Sequence, residues 1–491
     1  MKRNASYEPL VYAILICTGI VFGLFWNKLV HKDALNADTK IEQVIGLVES
    51  EYVDSVSQSE IEEKAIRELL SSFDPHSVYI PYQYVETASQ DLKGGFDGIG
   101  IEFFMHNDTP NVVRVLKDGP AKSAGIQPGD RILLVDTLSL IGLSNSEIID
   151  AIKGRKNTSF VGTIFRPFTG KTIEQTIERG TVKTPSVYAS LIDEQTIYVK
   201  IEHFAEKTHT EFVSQVKKLL KGKDIKYVVL DLRNNPGGYL QTAISLLNEF
   251  VDGNDMLAYT QSKSGKRREY KATKGGLCAD MELACLVNNR SASASEIVSG
   301  AIQDLDRGVV LGSRTYGKGL VQETFQLTDG SQIRLTVSRY YIPSGRSIQK
   351  PYDDEGYQEL DSQALKKVGI QYETKNGRFV KSEGGITPDI SLPIETYENY
   401  IKTSEYAAQL IDSHVENWLE LTPEAWSESR KVSAQISQSL QDSTHYYQSV
   451  KHRLVYQLYG IEVAYAQNAY SDKSILRAVT ELREPTVLLN P

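Results

Sequence analysis

The chain has little cysteine: three in 491 residues, Cys17, Cys278 and Cys285, with no C-x-x-C pair. That excludes a disulfide framework and the common zinc modules. Cys285 lies in the apolar run "ELACLV" and reads as a small buried hydrophobe, with pairing to Cys278 in an oxidising compartment as the alternative. Basic excess is absent too. The net charge is −9, with 24% charged and 41% hydrophobic residues, which argues against a nucleic-acid binder. Long hydrophobic runs are missing except at the start, where residues 9–27, "PLVYAILICTGIVFGLFWN", carry no charge. A helix needs about 20 apolar residues to cross a bilayer. Lys2 and Arg3 favour a cytoplasmic N-terminus, while Lys28 and Lys32 weaken the asymmetry. The alternative is a cleaved signal peptide, but Leu35-Asn36-Ala37 is a poor cleavage site, and the large Leu15 and Ile16 fit a lipoprotein reading of Cys17 badly. The expectation is a single-pass anchor in the inner (cytoplasmic) membrane over 1–34, with the bulk of the chain on the periplasmic or extracytoplasmic side.

The length favours two to four domains. Residues 35–84 read as a helical segment: Ile41, Val44, Ile45 and Val48 share one face, as do Ile61, Ala65 and Leu69. Residues 85–182 turn to short strands and glycine turns. There "GGFDGIGIEF" leads into a strand, "NVVRVLKDGPAKSAGIQPGDRILLVD" gives strand, short helix and strand, and "SEIIDAIKG" is an amphipathic helix with Ile148, Ile149 and Ile152 on its apolar side. This order resembles a PDZ domain. The resemblance implies that Gly98, Ile99, Gly100 and Ile101 form a loop whose backbone N–H groups hold a peptide's terminal carboxylate, while the peptide adds as a strand to the sheet edge.

Residues 183–391 alternate strand and helix: "TIYVKIEHF", "TEFVSQVKKLL", "KYVVLDLR", "YLQTAISLLNEFV", "ELACLVNN", "SEIVSGAIQDL" and "GVVLG", then a hairpin turning at Asp329-Gly330. The pattern predicts an α/β fold with a mixed sheet. Residues 392–491 read as helices, with Ala407, Leu410, Ile411 and Trp418 at helical spacing, suited to packing or assembly.

Two stretches carry chemistry. "GSRTYGKGL" matches G-x-x-x-x-G-K through Gly312, Gly317 and Lys318, but Gly319 stands where a phosphate loop needs Ser or Thr, and a hairpin follows where it needs a helix. "NNRSASASEIVSG" places serines at the start of a helix after a buried strand, where a helix N-terminus stabilises an oxyanion. Ser291, Ser293 and Ser295 can equally be helix caps. No histidine pairs by motif with Ser or Asp, and His76 and His203 read as structural. A lysine serves as base when burial lowers its pKa, and Lys318 suits this, with Gln322 four residues on able to orient the amine. Ser214 and Lys217 give an S-x-x-K spacing without partner motifs.

"FDPHSVYI", "DLRNNPGG", "NNRSASASEIVSGAIQD", "GSRTYGKGLVQ" and "GGITPDI", in this order, resemble the carboxyl-terminal processing (tail-specific) proteases, Ser/Lys endopeptidases with an inserted PDZ domain. The resemblance spans about residues 35–391 as motif order. It implies Ser293 as nucleophile, Lys318 as general base, Gln322 as its support, and the N–H groups of Ala294 and of Gly237 or Gly238 as the oxyanion hole. It implies protein substrates with accessible C-terminal tails, with no metal or nucleotide, and leaves the oligomeric state open. A non-catalytic scaffold that binds C-termini through the PDZ-like domain is the alternative.

Overall fold

The computed structural model describes residues 12–13, 15–22, 39–106, 108–116, 119–273, 275–350, 371–381, 384–393, 465–466, 469–470 and 472–487. Among these no helix is long and apolar enough to cross a membrane. Most of the expected anchor, and Ala407, Leu410, Ile411 and Trp418 of the expected C-terminal helices, lie outside the described residues. The chain divides into two units, Met1–Val85 with Gln322–Thr336, and Glu86–Val321 with Val337–Pro491.

In the first unit, α1 (Lys40–Glu51) and α2 (Gln58–Ser71) each start at a capping box, Thr39 with Glu42 and Ser57 with Glu60. The apolar spacing of α1 does not lead to burial: none of its residues is buried, and Ile41 and Val44 are exposed. Periodicity reports the face a helix could bury, not whether a partner covers it. After α2, the Asp74 carboxylate accepts from His76 N and Ser77 N, both at 2.8 Å, and turns the chain into β1 (Val78–Ile80). β1 pairs antiparallel with residues 332–334 of the hairpin.

The second unit opens, beyond α3 (Tyr82–Lys93), with the PDZ-like region: β2 (Gly95–Gly98), β3 (Ile101–His106), β4 (Thr109–Val115), α4 (Pro120–Ser123), β5 (Arg131–Val135), β6 (Leu138–Ser139), α5 (Asn145–Ile152), β7 (Ser159–Arg166), β8 (Lys171–Glu178) and β9 (Gly180–Lys183). The sheet order is β3-β4-β5-β7-β8, so β3 is an edge strand, and β2 pairs with β9. Ile99, Val112, Ile132, Leu140, Ile148 and Ile164 are among the residues of its separate core. Of the three isoleucines expected on one side of α5, Ile148 and Ile152 are buried, whereas Ile149 is 37% exposed.

The remaining elements are β10 (Val187–Asp193), β11 (Thr196–Ile201), α6 (Thr208–Leu220), β12 (Tyr227–Asp231), α7 (Leu240–Leu247), β13 (Met256–Ser262), β14 (Arg267–Lys271), β15 (Glu282–Val287), α8 (Ala294–Asp304), β16 (Val309–Gly312), β17 (Leu320–Gln326), β18 (Gln332–Tyr341), β19 (Gln371–Glu373), β20 (Phe379–Lys381), β21 (Ile390–Ser391) and α9 (Lys473–Arg483). The main sheet runs β10-β11-β12-β15-β16-β21, parallel from β11 onward. Strands covered on both faces read as unbroken apolar runs, and alternate residues separate the two layers. Val228, Leu230, Leu283, Cys285 and Val287 join the core beneath α6, α7 and α8, while Val229, Ala284 and Leu286 face a second core with α9. Cys278 and Cys285 are free thiols, and burial pushes the Cys278 thiol up to about 12.

Candidate active site and tail-binding groove

β15 ends beside the loop after β12, and α8 starts at Ser293, so the two parallel strands deliver their C-terminal turns to one place. Ser293 has φ 54° and ψ −113°, a backbone that L residues rarely adopt and that the surroundings must hold. The three serines of "SASAS" separate by geometry. Ser291 and Ser295 are fully buried and donate their hydroxyls to Leu232 O (2.8 Å) and Asn235 O (3.0 Å). They fasten α8 to the loop after β12. Ser293, between them, is half-buried and lies against the glycines: a Cβ at Gly237 would stand 2.8 Å from both Ala292 O and Ser293 Cβ.

The two glycines differ in what their amides do. Gly237 N donates to Asn235 Oδ1 (2.9 Å). The main chain of Phe204 brackets the pair, donating to Gly237 O (2.8 Å) and accepting from Tyr239 N (2.8 Å). Gly238 N and Ala294 N have no acceptor among the described residues. Gly238 has φ 141°, and a Cβ there would meet Phe204 O at 2.2 Å, so no larger residue fits. Asn235, fully buried, also donates to Ile201 O (3.0 Å) and accepts from Ala292 N (3.0 Å) through its main-chain oxygen.

Glu296 joins the serine turn to the lysine loop. Its fully buried carboxylate accepts from Ser293 N (2.8 Å) and Lys318 N (2.9 Å) on one oxygen, and from Thr315 Oγ1 (2.5 Å) and Gly317 N (2.7 Å) on the other. Burial outweighs these four bonds and raises its pKa from 4.5 to about 7. Lys318 is half-buried between buried Gly317 and Gly319, and its carbonyl accepts from the Tyr340 hydroxyl. β16 before the loop is buried throughout, whereas β17 after it is exposed from Glu323 onward. Ser293, Ala294, both glycines and the Lys318 main chain therefore converge. Gln322 belongs to the first unit, where its side-chain amide donates to His76 O. Ser214 and Lys217 are exposed on α6.

Reading the sequence missed Glu296, Thr315 and Asn235. Ser293-Ala-Ser-Glu296 has the S-x-x-E spacing of a capping box, which was the available signal for Glu296. No spacing rule announces that the same carboxylate also binds a loop 21 and 22 residues on.

Of the four expected tail-binding residues, Ile99, Gly100 and Ile101 line a groove of about 370 Å³ between β3 and α5, whereas Gly98 ends β2, paired with Gly180, and is not among the lining residues. Gly100 has φ 76°, and a Cβ there would meet Gly119 Cα at 2.9 Å. The loop carbonyls turn inward: Ile99 O accepts from Ala121 N (2.7 Å) and Gly100 O from Leu116 N (2.9 Å). By the alternation of an antiparallel ladder, Ile101 then presents its main chain to the open edge.

A family model described as PDZ domain matches residues 88–160, and one described as Peptidase family S41 matches residues 195–359. Fold and site thus define a peptidase with a PDZ domain ahead of its catalytic sheet. The chain is 34% identical over 305 residues to a carboxy-terminal-processing protease of Bartonella bacilliformis, covering 62% of this chain and 70% of that one. It is 33% identical over 315 residues to carboxy-terminal processing protease CtpB of Bacillus subtilis, covering 63% and 65%. Among solved structures, a photosystem II D1 C-terminal processing protease aligns over 74% of this chain and 89% of its own, at 23% identity and a TM-score of 0.41. The chain belongs to the carboxy-terminal processing proteases of peptidase family S41, which are serine-type peptidases.

Proposed function

We propose that this chain is a membrane-anchored endopeptidase that captures substrate C-termini in its PDZ domain and cuts them with a Ser293–Lys318 dyad. The observation that carries the reading is the shared carboxylate of Glu296, bonded to the main chains of both residues, with Ser293 in a constrained turn against Gly237. Ser293 Oγ attacks the scissile carbonyl while neutral Lys318 takes its proton. The oxyanion is held by Ala294 N–H and Gly238 N–H, since Gly237 N–H is committed to Asn235. Collapse expels the amine, which takes the proton from Lys318 and leaves an acyl-enzyme. Water, deprotonated by Lys318, then releases the new C-terminus and restores Ser293. The apolar run at residues 9–27 anchors the chain in the inner membrane, with Lys2 and Arg3 on the cytoplasmic side and the catalytic part outside the cytoplasm.

The test is cleavage of an unfolded, tail-bearing protein by the parent chain, Ser293→Ala and Lys318→Met. The reading expects no turnover by Ser293→Ala and a fall of about 10²- to 10⁴-fold for Lys318→Met. Undiminished cleavage by either variant overturns the dyad.

A further inference from the structure

Two residues near the C-terminus reach back to the two stretches of backbone that enclose the glycine pair. Arg233 opens the loop that carries Gly237 and Gly238, just past the end of β12. Its guanidinium grips Asp231 at 2.6 Å and Asp472, the N-cap of α9, at 2.9 Å. Asp472 caps the helix through Oδ1, which accepts from Ser474 N and Ile475 N, and pairs with Arg233 through Oδ2. Lys200, buried on β11, donates to Arg233 O, so the main chain of Arg233 is held as well as its side chain. The adjoining segment after β11 meets this loop in a bridge between Phe204 and Gly238. In that segment Glu202 accepts from the Tyr465 hydroxyl, and the Tyr465 ring lies 5.4 Å from that of Tyr188. The far end of α9 makes a different contact. Arg483 pairs with Asp193 at 2.7 Å where the chain turns into β11, at the opposite edge of the sheet from Lys200 and Asp231. The Arg233–Asp472 pair is the more shielded of the two, with side chains 21% and 17% exposed against 46% and 32% for Arg483–Asp193.

We infer that Asp472 and Tyr465 are positioning residues for the oxyanion hole, and that the C-terminal segment carrying them is a working part of the catalytic site as well as a cover for the sheet. This rests on the Ser293 reading above. Burial of Ile475, Ala478 and Leu482 is enough to seat α9 on the sheet, and it says nothing about the loops. The two directed polar bonds go instead to the residues that flank the glycines. Gly237 and Gly238 stand at φ 102° and 141°, and glycine has the widest backbone freedom of any residue, so the direction of the Gly238 N–H must be imposed from its flanks. Asp472 fixes one flank through Arg233, and Tyr465 fixes the other through Glu202, two residues before Phe204.

The experiment uses the full chain and compares Asp472→Asn and Tyr465→Phe with Arg483→Gln. Asparagine caps a helix about as well as aspartate, so Asp472→Asn removes the ion pair and keeps the cap. Tyr465→Phe removes one hydroxyl and keeps the ring. Steady-state cleavage of an unfolded, tail-bearing protein is measured, together with inhibition by a peptide aldehyde, whose hemiacetal with Ser293 puts an oxyanion at the hole. Asp472→Asn and Tyr465→Phe are each expected to lower kcat by about 5- to 20-fold with KM within about twofold of the parent's, and to weaken the aldehyde by a similar factor. Arg483→Gln is expected to keep the parent's kcat and aldehyde affinity. A variant that keeps the parent's kcat removes its residue from this role, and both doing so overturns the inference. A fall of kcat in all three variants that follows their denaturation midpoints also overturns it, since the segment then acts by packing alone. A fall of kcat with the aldehyde unweakened overturns the oxyanion role. If Ser293→Ala cleaves like the parent, the Ser293 reading itself fails and this inference with it.

Discussion

Glu296 is bonded to four donors from two separate segments of chain, Ser293 on one side and Thr315, Gly317 and Lys318 on the other. Glu296→Gln sets an NH₂ against two of those donors, and a displacement of this kind between Ser293 and Lys318, the proposed nucleophile and base, is expected to lower kcat by about 10- to 100-fold with KM little changed. Steady-state kinetics checks it. Its pKa adds a second readout. The free carboxyl titrates near 4.5 and the folded one near 7, so between these values the folded protein keeps a proton that the unfolded chain has released. Stability therefore falls as pH rises from 4.5 to 7, by up to about 3 kcal/mol, and levels off above. Thermal unfolding in a Ser293→Ala background is expected to show this slope, and Glu296→Gln to remove it. The neighbouring serines give a contrast: Ser291→Ala and Ser295→Ala each leave a buried carbonyl without its hydroxyl donor. Each is expected to cost about 1–3 kcal/mol while cleavage persists. Retained stability with lost cleavage in either variant would move the nucleophile away from Ser293.

The strands were legible in the sequence because burial on both faces leaves unbroken apolar runs, as in "YVVLD" and "ELACLV". The order of "GGFDGIGIEF" and "DGPAKSAGIQPGDRILLVD" carried the resemblance to a PDZ domain, and the serines and Lys318 were legible as motifs. The Glu296 clamp was not, since it depends on which side chains the tertiary fold brings together. Nor was the division of labour between Gly237 and Gly238, which rests on the orientation of Asn235. Helix α9 shows the same limit. Its Ile475, Ala478 and Leu482 cover Val229, Ala284 and Leu286 on the sheet face turned away from α7 and α8. Asp472 caps α9 and also pairs with Arg233 at 2.9 Å, and Arg233 in turn grips buried Asp231. Helical spacing could predict a packing role for this region but not the surface it packs on. Ile475→Ala is expected to lower stability by about 2–4 kcal/mol in chemical denaturation, because fully buried Ile475 leaves a cavity over the sheet. An unchanged midpoint would mean that α9 is not part of the core.

At the scale of the whole molecule, the proposed anchoring and tail capture are separable from cutting. A chain lacking residues 1–34 is expected to leave the membrane fraction and to cleave a soluble tail-bearing substrate at the parent's rate; continued sedimentation with membranes would contradict the anchor. The central claim concerns one hydroxyl and one amine, and covalent labelling tests it most directly. A fluorophosphonate is reacted with the parent, Ser291→Ala, Ser295→Ala and Lys318→Met, and the modified residue is located by mass spectrometry. Ser293 should be the labelled residue in the first three proteins, and labelling should fall by about 10²-fold or more in Lys318→Met. A label on another serine, or labelling of Ser293 at the parent's rate without Lys318, would contradict the account.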